Sequence, residues 1–305
     1  PTKLSRTEKQ NLTRRYTSEI GPFIGPTKDI PAPDVGTDPQ TMAWMMDTFS
    51  QESGYAQPGV VTGKPVEIGG SLGRAGATGL GVVFVAEKAF EKLGKSLKGA
   101  RLVIQGFGNV GSHAARYAYE RGAKIIAVSD VSGGLMMGEG LPMPELLEHI
   151  KTKNTLAGFG KGERIRNEDL LLLECDALFP CALENQIDTH NAEKVKAKMI
   201  VEGANGPVTN EATKILHRRG VIVVPDIIAN GGGVVVSYFE WVQDIMSFFW
   251  DEEEINKRLH GIITKAYERC FVLAKEKNVD LRAAAMAVAV DRLQRAMLLR
   301  GLYPR

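Results

Sequence analysis

The residues of this 305-residue chain that could do chemistry fall into a few short stretches, and a glycine turn is the most telling. Gln105-Gly106-Phe107-Gly108-Asn109-Val110-Gly111-Ser112 has the spacing G-x-G-x-x-G. It follows an apolar run, Arg101 to Ile104, and opens a helical pattern from Asn109 to Arg121. Asp130 stands nineteen residues after Gly111, at the end of a second apolar run. In that order Gly106 permits a tight turn out of a strand. Gly108 lets the backbone approach a pyrophosphate, and Gly111 allows close packing of helix on strand. The helix N-terminus meets the phosphate charge, and the acid accepts from ribose hydroxyls. The chemistry implied is binding of a dinucleotide.

A second stretch, Asp29-Ile30-Pro31-Ala32-Pro33-Asp34-Val35-Gly36-Thr37, places a carboxylate behind two prolines that fix the backbone. Asp34 suits proton transfer beside a cofactor. It also suits a helix cap, although Asp38 and Thr41 lie closer to the next helix start. Gly69 to Gly79 is a glycine-dense loop containing Arg74, and Thr78 sits where a cap or first-turn hydroxyl would be. Glu202-Gly203-Ala204-Asn205-Gly206-Pro207 and Pro225 to Gly233 each follow an apolar run. Asn205 and Asn230 could each donate and accept at a carboxamide or ribose; either alone also reads as a turn residue. Ser237 falls in the helix beyond Asn230, one to two turns from it.

The elements that must position these residues follow from periodicity. Short apolar runs at 101–104, 124–128, 177–179, 199–201 and 221–224 read as buried strands. Helical patterns at 78–93, 109–121, 144–151 and 210–219 separate most of them, which implies a doubly wound parallel sheet, α/β and Rossmann-type. Residues 1–57 read as helix, Pro/Gly-rich loop and helix, residues 58–230 as the dinucleotide-binding domain, and residues 231–305 as a helical region. Asp251 to Glu254 place negative charge at a helix start, where the dipole favours it.

Composition narrows the class. A net charge of +2 with no basic tract gives no case for nucleic acid, and no apolar run approaches the ~18–20 residues of a membrane span. Three cysteines without a C-x-x-C pair read as free thiols in a reducing, cytoplasmic setting. Five scattered histidines make no case for a metal site.

At these same stretches the chain resembles the glutamate dehydrogenases of the Glu/Leu/Phe/Val dehydrogenase superfamily. The resemblance runs through Asn11–Tyr16 (NLTRRY), Asp29–Thr37, Thr41–Asp47 (TMAWMMD), Gly59–Lys64 (GVVTGK), Gly70–Gly79, Gln105–Gly111, Glu202–Pro207, Pro225–Gly233 and Ser237–Asp244. It implies oxidative deamination of L-glutamate to 2-oxoglutarate and ammonia, and the reverse, with NAD or NADP as cofactor and a homohexamer as the assembly. It further implies that Asp34 is the proton-transfer acid and that Ser237 contacts the substrate side-chain carboxylate, with Arg74 lining the same cleft. Cofactor contacts would come from Thr78, Gly106, Gly108, Asn109, Val110, Gly111 and Asp130, with Asn205 and Asn230 near ribose and nicotinamide.

Residues 1–57 would then be the C-terminal part of a substrate and oligomerisation domain, and residues 231–305 would link the cofactor domain back to it. The family's G-G-x-K-G-G segment with its catalytic lysine falls just before the stretch matching Leu4-Ser5-x-x-Glu8, and no G-G-x-K occurs in this chain. The expectation is a fragment of a longer enzyme, inactive alone. A leucine-, valine- or phenylalanine-type dehydrogenase and a non-catalytic cofactor-binding subunit are the alternatives. Asp130, with no Lys or Arg from Val131 to Ile150, favours NAD over NADP.

Overall fold

Capping chemistry sets where the first helices begin. Ser5 and Glu8 exchange side-chain and backbone bonds at one start, and Asp38 accepts the Thr41 N–H at 2.8 Å at the next. Asp38, not Asp34, is therefore the cap. The computed structural model describes residues 4–34 and 36–301; Pro1, where the chain opens, and Val35 of the proline loop lie outside them. In chain order the helices are α1 (Arg6–Ile20), α2 (Pro39–Ser53), α3 (Ala77–Lys92), α4 (Asn109–Glu120), α5 (Met143–Lys153), α6 (Asn167–Leu170), α7 (Asn210–Arg218), α8 (Asp226–Ala229), α9 (Gly232–Met246), α10 (Glu252–Lys277) and α11 (Leu281–Arg300). The strands are β1 (Arg101–Gln105), β2 (Lys124–Asp130), β3 (Gly133–Met136), β4 (Glu163–Ile165), β5 (Ala177–Pro180), β6 (Met199–Val201) and β7 (Ile222–Val224).

The chain divides into two compact units, Pro1–Ala77 with Gly233–Leu259, and Thr78–Gly232 with His260–Arg305. In the first, α1 packs on α2, pinned by Arg14 to Asp47 at 2.6 Å and to Thr48 at 3.0 Å. Ile24, Met42, Met45, Val60 and Val61 form its small apolar core.

The second unit is built on a seven-stranded sheet in the order β4-β3-β2-β1-β5-β6-β7. β1 pairs in parallel with both β2 and β5, and β5, β6 and β7 continue in parallel. The five apolar runs are these five strands, buried on both faces as a helix-covered parallel sheet requires. Two further strands have no counterpart in the periodicity. β3 returns antiparallel to β2 and β4 antiparallel to β3. Gly133 and Gly134 disguise β3, because glycine is a poor strand former. Its role is steric: a Cβ on Gly134 would stand 2.6 Å from Ile165 Cγ2, so glycine lets β4 close on the sheet. Because β1 lies between β2 and β5, the chain winds outward in both directions from it, and the loops after β1 and β5 meet at the switch point.

Candidate active site

At that switch point the three glycines separate into three physical roles. Gly106 has φ +86°, and a Cβ there would stand 2.7 Å from Ala182 N in the loop after β5. Gly111 is buried, and its Cβ would fall 1.8 Å from the Gly106 carbonyl oxygen, backbone against backbone. Gly108 is different. Nothing lies within 4 Å of its would-be Cβ, and it precedes α4 without a side-chain cap. An open glycine at a helix N-terminus that still has donors to offer fits a pyrophosphate. Asn109 and Val110 begin α4 beside it, and close packing extends to α3: a Cβ on Gly79 would come 2.6 Å from Ala114 N. Thr78, half-buried in the first turn of α3, is next to that contact.

Asp130 ends β2 as expected, but its carboxylate is already engaged. Oδ1 accepts from Ser132 N–H (2.7 Å) and Ser132 O–H (2.6 Å), and Oδ2 from Thr155 O–H (3.1 Å) and Leu156 N–H (2.6 Å). Partial burial pushes its pKa up, yet these donors prevail and hold it below the usual carboxylate range. The acid is thus a fixed negative charge as well as a tie for the 155–156 loop.

The two asparagines meet. Asn230 Nδ2 donates to Asn205 Oδ1 at 2.7 Å and to Ala204 O at 3.3 Å. This leaves the Asn205 amide N–H groups and the Asn230 carbonyl without partners among the described residues, a donor and an acceptor side by side. Buried Glu202 holds their loops: it accepts Asp226 N–H at 2.8 Å and bonds Arg282 of α11. Asp226 in turn accepts Gly206 N–H at 2.7 Å and faces Arg282 at 3.3 Å. Burial pushes the Glu202 carboxyl up to about 7 despite Arg282.

In the first unit Arg74 Nε donates to Ser237 Oγ at 2.8 Å, and Ser237 is 8% exposed. Burial pulls the Arg74 guanidinium down from its ordinary value, and the charge of Glu240 opposes that pull. Among the described residues no acceptor meets its terminal NH2 groups. A hydroxyl and a guanidinium side by side make a receptor for a carboxylate.

Asp34 is exposed on a loop that the chain pins firmly. Thr62 N–H donates to Pro31 O at 3.0 Å, and Gly63 leaves room for Pro33, whose Cδ would be 2.6 Å from a Cβ there. Thr37 then returns to Asp34 with N–H to carbonyl at 2.9 Å.

Residue-by-residue reading of the chemistry missed Lys64, Glu240 and Asp244. All three side chains are fully buried, with Lys64 Nζ 2.6 Å from Glu240 and 2.8 Å from Asp244. Two acids four apart in the largely apolar α9 were the available sign. It also missed Glu202 and Arg282, which lie 80 residues apart and carry no local pattern.

Known proteins resolve what this arrangement belongs to. Residues 69–301 match the family described as Glutamate/Leucine/Phenylalanine/Valine dehydrogenase, and residues 1–51 match the Glu/Leu/Phe/Val dehydrogenase dimerisation domain. The chain belongs to this dehydrogenase family. A glutamate dehydrogenase of Thermotoga maritima is 52% identical over the whole chain, which spans 73% of that protein. The hetero-hexameric glutamate dehydrogenase of Thermus thermophilus, in its leucine-bound form, is 41% identical with a TM-score of 0.94, over 100% of this chain and 72% of that one. The glutamate dehydrogenase of Peptoniphilus asaccharolyticus is 36% identical with a TM-score of 0.86, over 99% and 73%. Members of the Glu/Leu/Phe/Val dehydrogenase family are oxidoreductases acting on CH–NH2 donors with a nicotinamide dinucleotide, and this chain is an amino-acid dehydrogenase. Among its described residues no helix is long and apolar enough to cross a membrane.

Proposed function

We propose that the chain serves NAD-linked oxidative deamination of L-glutamate to 2-oxoglutarate and ammonia, and the reverse. The observation that carries this reading is the Arg74 Nε–Ser237 Oγ bond at 2.8 Å, a half-buried receptor suited to a side-chain carboxylate and wasted on an apolar one. When bound, the nicotinamide supplies a hydride acceptor or donor. Gly106, Gly108, Asn109, Val110 and Gly111 would seat the pyrophosphate. Thr78 would add a hydroxyl, and Asn205 and Asn230 would present their unpartnered donor and acceptor to carboxamide and ribose. Asp34, held on its stiff loop, would hold or deliver the proton at the substrate nitrogen.

Dinucleotide binding is thus assigned to the second unit, and the carboxylate receptor and Asp34 to the first. The charge at Asp130 favours NAD over NADP. A hexamer is the assembly we infer, from the match to a dimerisation domain and the hexameric Thermus relative, and a cytoplasmic setting suits three cysteines that are all unpaired. Comparing kcat/KM of the full-length enzyme for glutamate against leucine, with NAD and with NADP, tests the reading. A preference for leucine would overturn the substrate, and one for NADP the role of Asp130.

A further inference from the structure

One side chain of α11 joins the two loops that carry Asn205 and Asn230, and all of these residues lie in the second unit. Arg282 Nη2 bonds Glu202, which follows β6 on the Asn205 loop, and Nη1 faces Asp226 of the Asn230 loop at 3.3 Å. The two acids also tie the loops to each other. Glu202 Oε2 accepts Asp226 N–H at 2.8 Å, and Asp226 Oδ2 accepts Gly206 N–H at 2.7 Å. Asn230 N–H donates to the Asp226 carbonyl at 3.0 Å, so the end of α8 follows wherever Asp226 sits. Gly206 is the neighbour of Asn205, and the amide pair at 2.7 Å is thereby fixed from both sides.

Two carboxylates from different loops repel each other, and a cation between them turns that repulsion into a joint. Burial pushes the Glu202 carboxyl up, Arg282 opposes the rise and Asp226 adds to it. A planar guanidinium can bond both acids at once, whereas an ammonium is a point charge on a flexible stem. Arg282 is itself held in place. Asp280 caps α11 by accepting Ala283 N–H at 2.9 Å, and Leu281, Ala284 and Ala285 are buried. Arg282 Nε is buried and meets no acceptor among the described residues, which costs stability. What the arginine secures at that cost is the spacing of Glu202 and Asp226, and through them of the two asparagines.

We propose that Arg282 is a positioning residue for the nicotinamide half of the cofactor, acting through Glu202 and Asp226 to fix the Asn205–Asn230 pair. This rests on the reading above that the pair meets carboxamide and ribose. The adenosine and pyrophosphate are assigned to the turn after β1 and to Asp130, whereas the side-chain bonds of Arg282 go to Glu202 and Asp226. Loss of Arg282 therefore weakens one half of the dinucleotide and spares the other. General loosening of the fold would weaken both.

The test is fluorescence titration of the full-length enzyme with NADH, followed by displacement with ADP, which lacks the nicotinamide and its ribose. Both are done about one unit above the raised Glu202 value, where that carboxyl is largely ionised. Arg282→Met should weaken NADH about tenfold and ADP by no more than about twofold. Arg282→Lys keeps the charge without the fork and should weaken NADH about threefold, again sparing ADP. In Asn205→Ala/Asn230→Ala, NADH should already bind more weakly, and adding Arg282→Met should cost nothing further. Unchanged NADH affinity in Arg282→Met overturns the proposal. So do equal losses for NADH and ADP, or a loss that adds to that of the asparagine variant. Should Arg282→Met fail to fold, Arg282→Lys decides, and wild-type NADH affinity there overturns the proposal. If the asparagine variant binds NADH as tightly as wild type, the reading of the asparagine pair itself fails, whatever Arg282 does, and the proposal falls with it.

Discussion

Asp130 Oδ2 accepts the backbone N–H of Leu156 at 2.6 Å, a bond that ties the end of β2 to a loop 26 residues along the chain. With Ser132 and Thr155 the carboxylate receives four donors, so ribose hydroxyls would have to compete with bonds already made. The charge, however, is fully formed, and charge is what repels a 2′-phosphate. Asp130→Ser is therefore expected to raise the kcat/KM ratio of NADP to NAD by roughly tenfold. It should also lower the melting temperature, because the Leu156 N–H loses its acceptor. An unchanged cofactor ratio alongside lower stability would reduce Asp130 to a structural tie.

The receptor in the first unit makes a prediction about the substrate. Ser237→Ala removes the hydroxyl and adds no bulk, stranding Arg74 Nε and leaving a carboxylate one donor short. The expected loss is roughly 1–3 kcal/mol in kcat/KM for glutamate, with much less for an apolar amino acid. Steady-state kinetics on both substrates checks it, and equal losses would place Ser237 outside the pocket.

How far these features can be read from the chain depends on their range. The cofactor turn, its flanking strand and helix and the acid at β2 fall within 30 residues, and local periodicity exposes all of them. β3 stayed hidden because its two glycines are there for packing on β4, a contact the local sequence does not encode. The same holds for Lys64 with Glu240, 176 residues apart, and for Arg282 with Glu202. Buried ion pairs of this kind join residues that share no periodic pattern, so burial alone reveals them. Asp130 shows the reverse case. Its position was legible, but the four donors that occupy it were not.

The glycines of the turn separate fold from binding. Gly111→Ala would drive a Cβ into the Gly106 carbonyl and should cost both stability and cofactor affinity. Gly108→Ala meets nothing within 4 Å and should leave the melting temperature nearly unchanged, yet weaken NAD binding about tenfold or more by blocking close approach of the pyrophosphate. Thermal melts and fluorescence titration with NADH measure the two effects. Tight NADH binding by Gly108→Ala would contradict the pyrophosphate seat.

Asp34→Asn keeps the shape of a residue on an exposed loop whose backbone is fixed by Pro31, Pro33 and Thr37. Cofactor affinity is expected to persist while kcat falls about 10²-fold or more, because an amide cannot shuttle a proton. A variant within a few-fold of wild type would leave Asp34 a purely structural role.

The last prediction concerns pH and the Glu202–Arg282 tie that holds the asparagine loops. Burial raises the Glu202 carboxyl from 4.5 to about 7 in the folded protein. Between those values the folded state binds a proton that the unfolded chain does not. Its contribution to stability is therefore present in full below the unfolded pKa and is lost as pH rises through about 7. Carboxylates with depressed pKa, such as Asp130 and Asp176, act in the opposite sense at lower pH, so the wild-type curve alone mixes the two. Glu202→Gln isolates the group: it keeps the shape and cannot titrate. The stability of the wild type relative to Glu202→Gln should be greater at pH 5 than at pH 8, by a margin on the order of 3 kcal/mol at most. Denaturant unfolding at the two pH values measures that margin. A margin of zero would mean that Arg282 keeps Glu202 ionised throughout, and a reversed sign would mean that the ion pair outweighs burial.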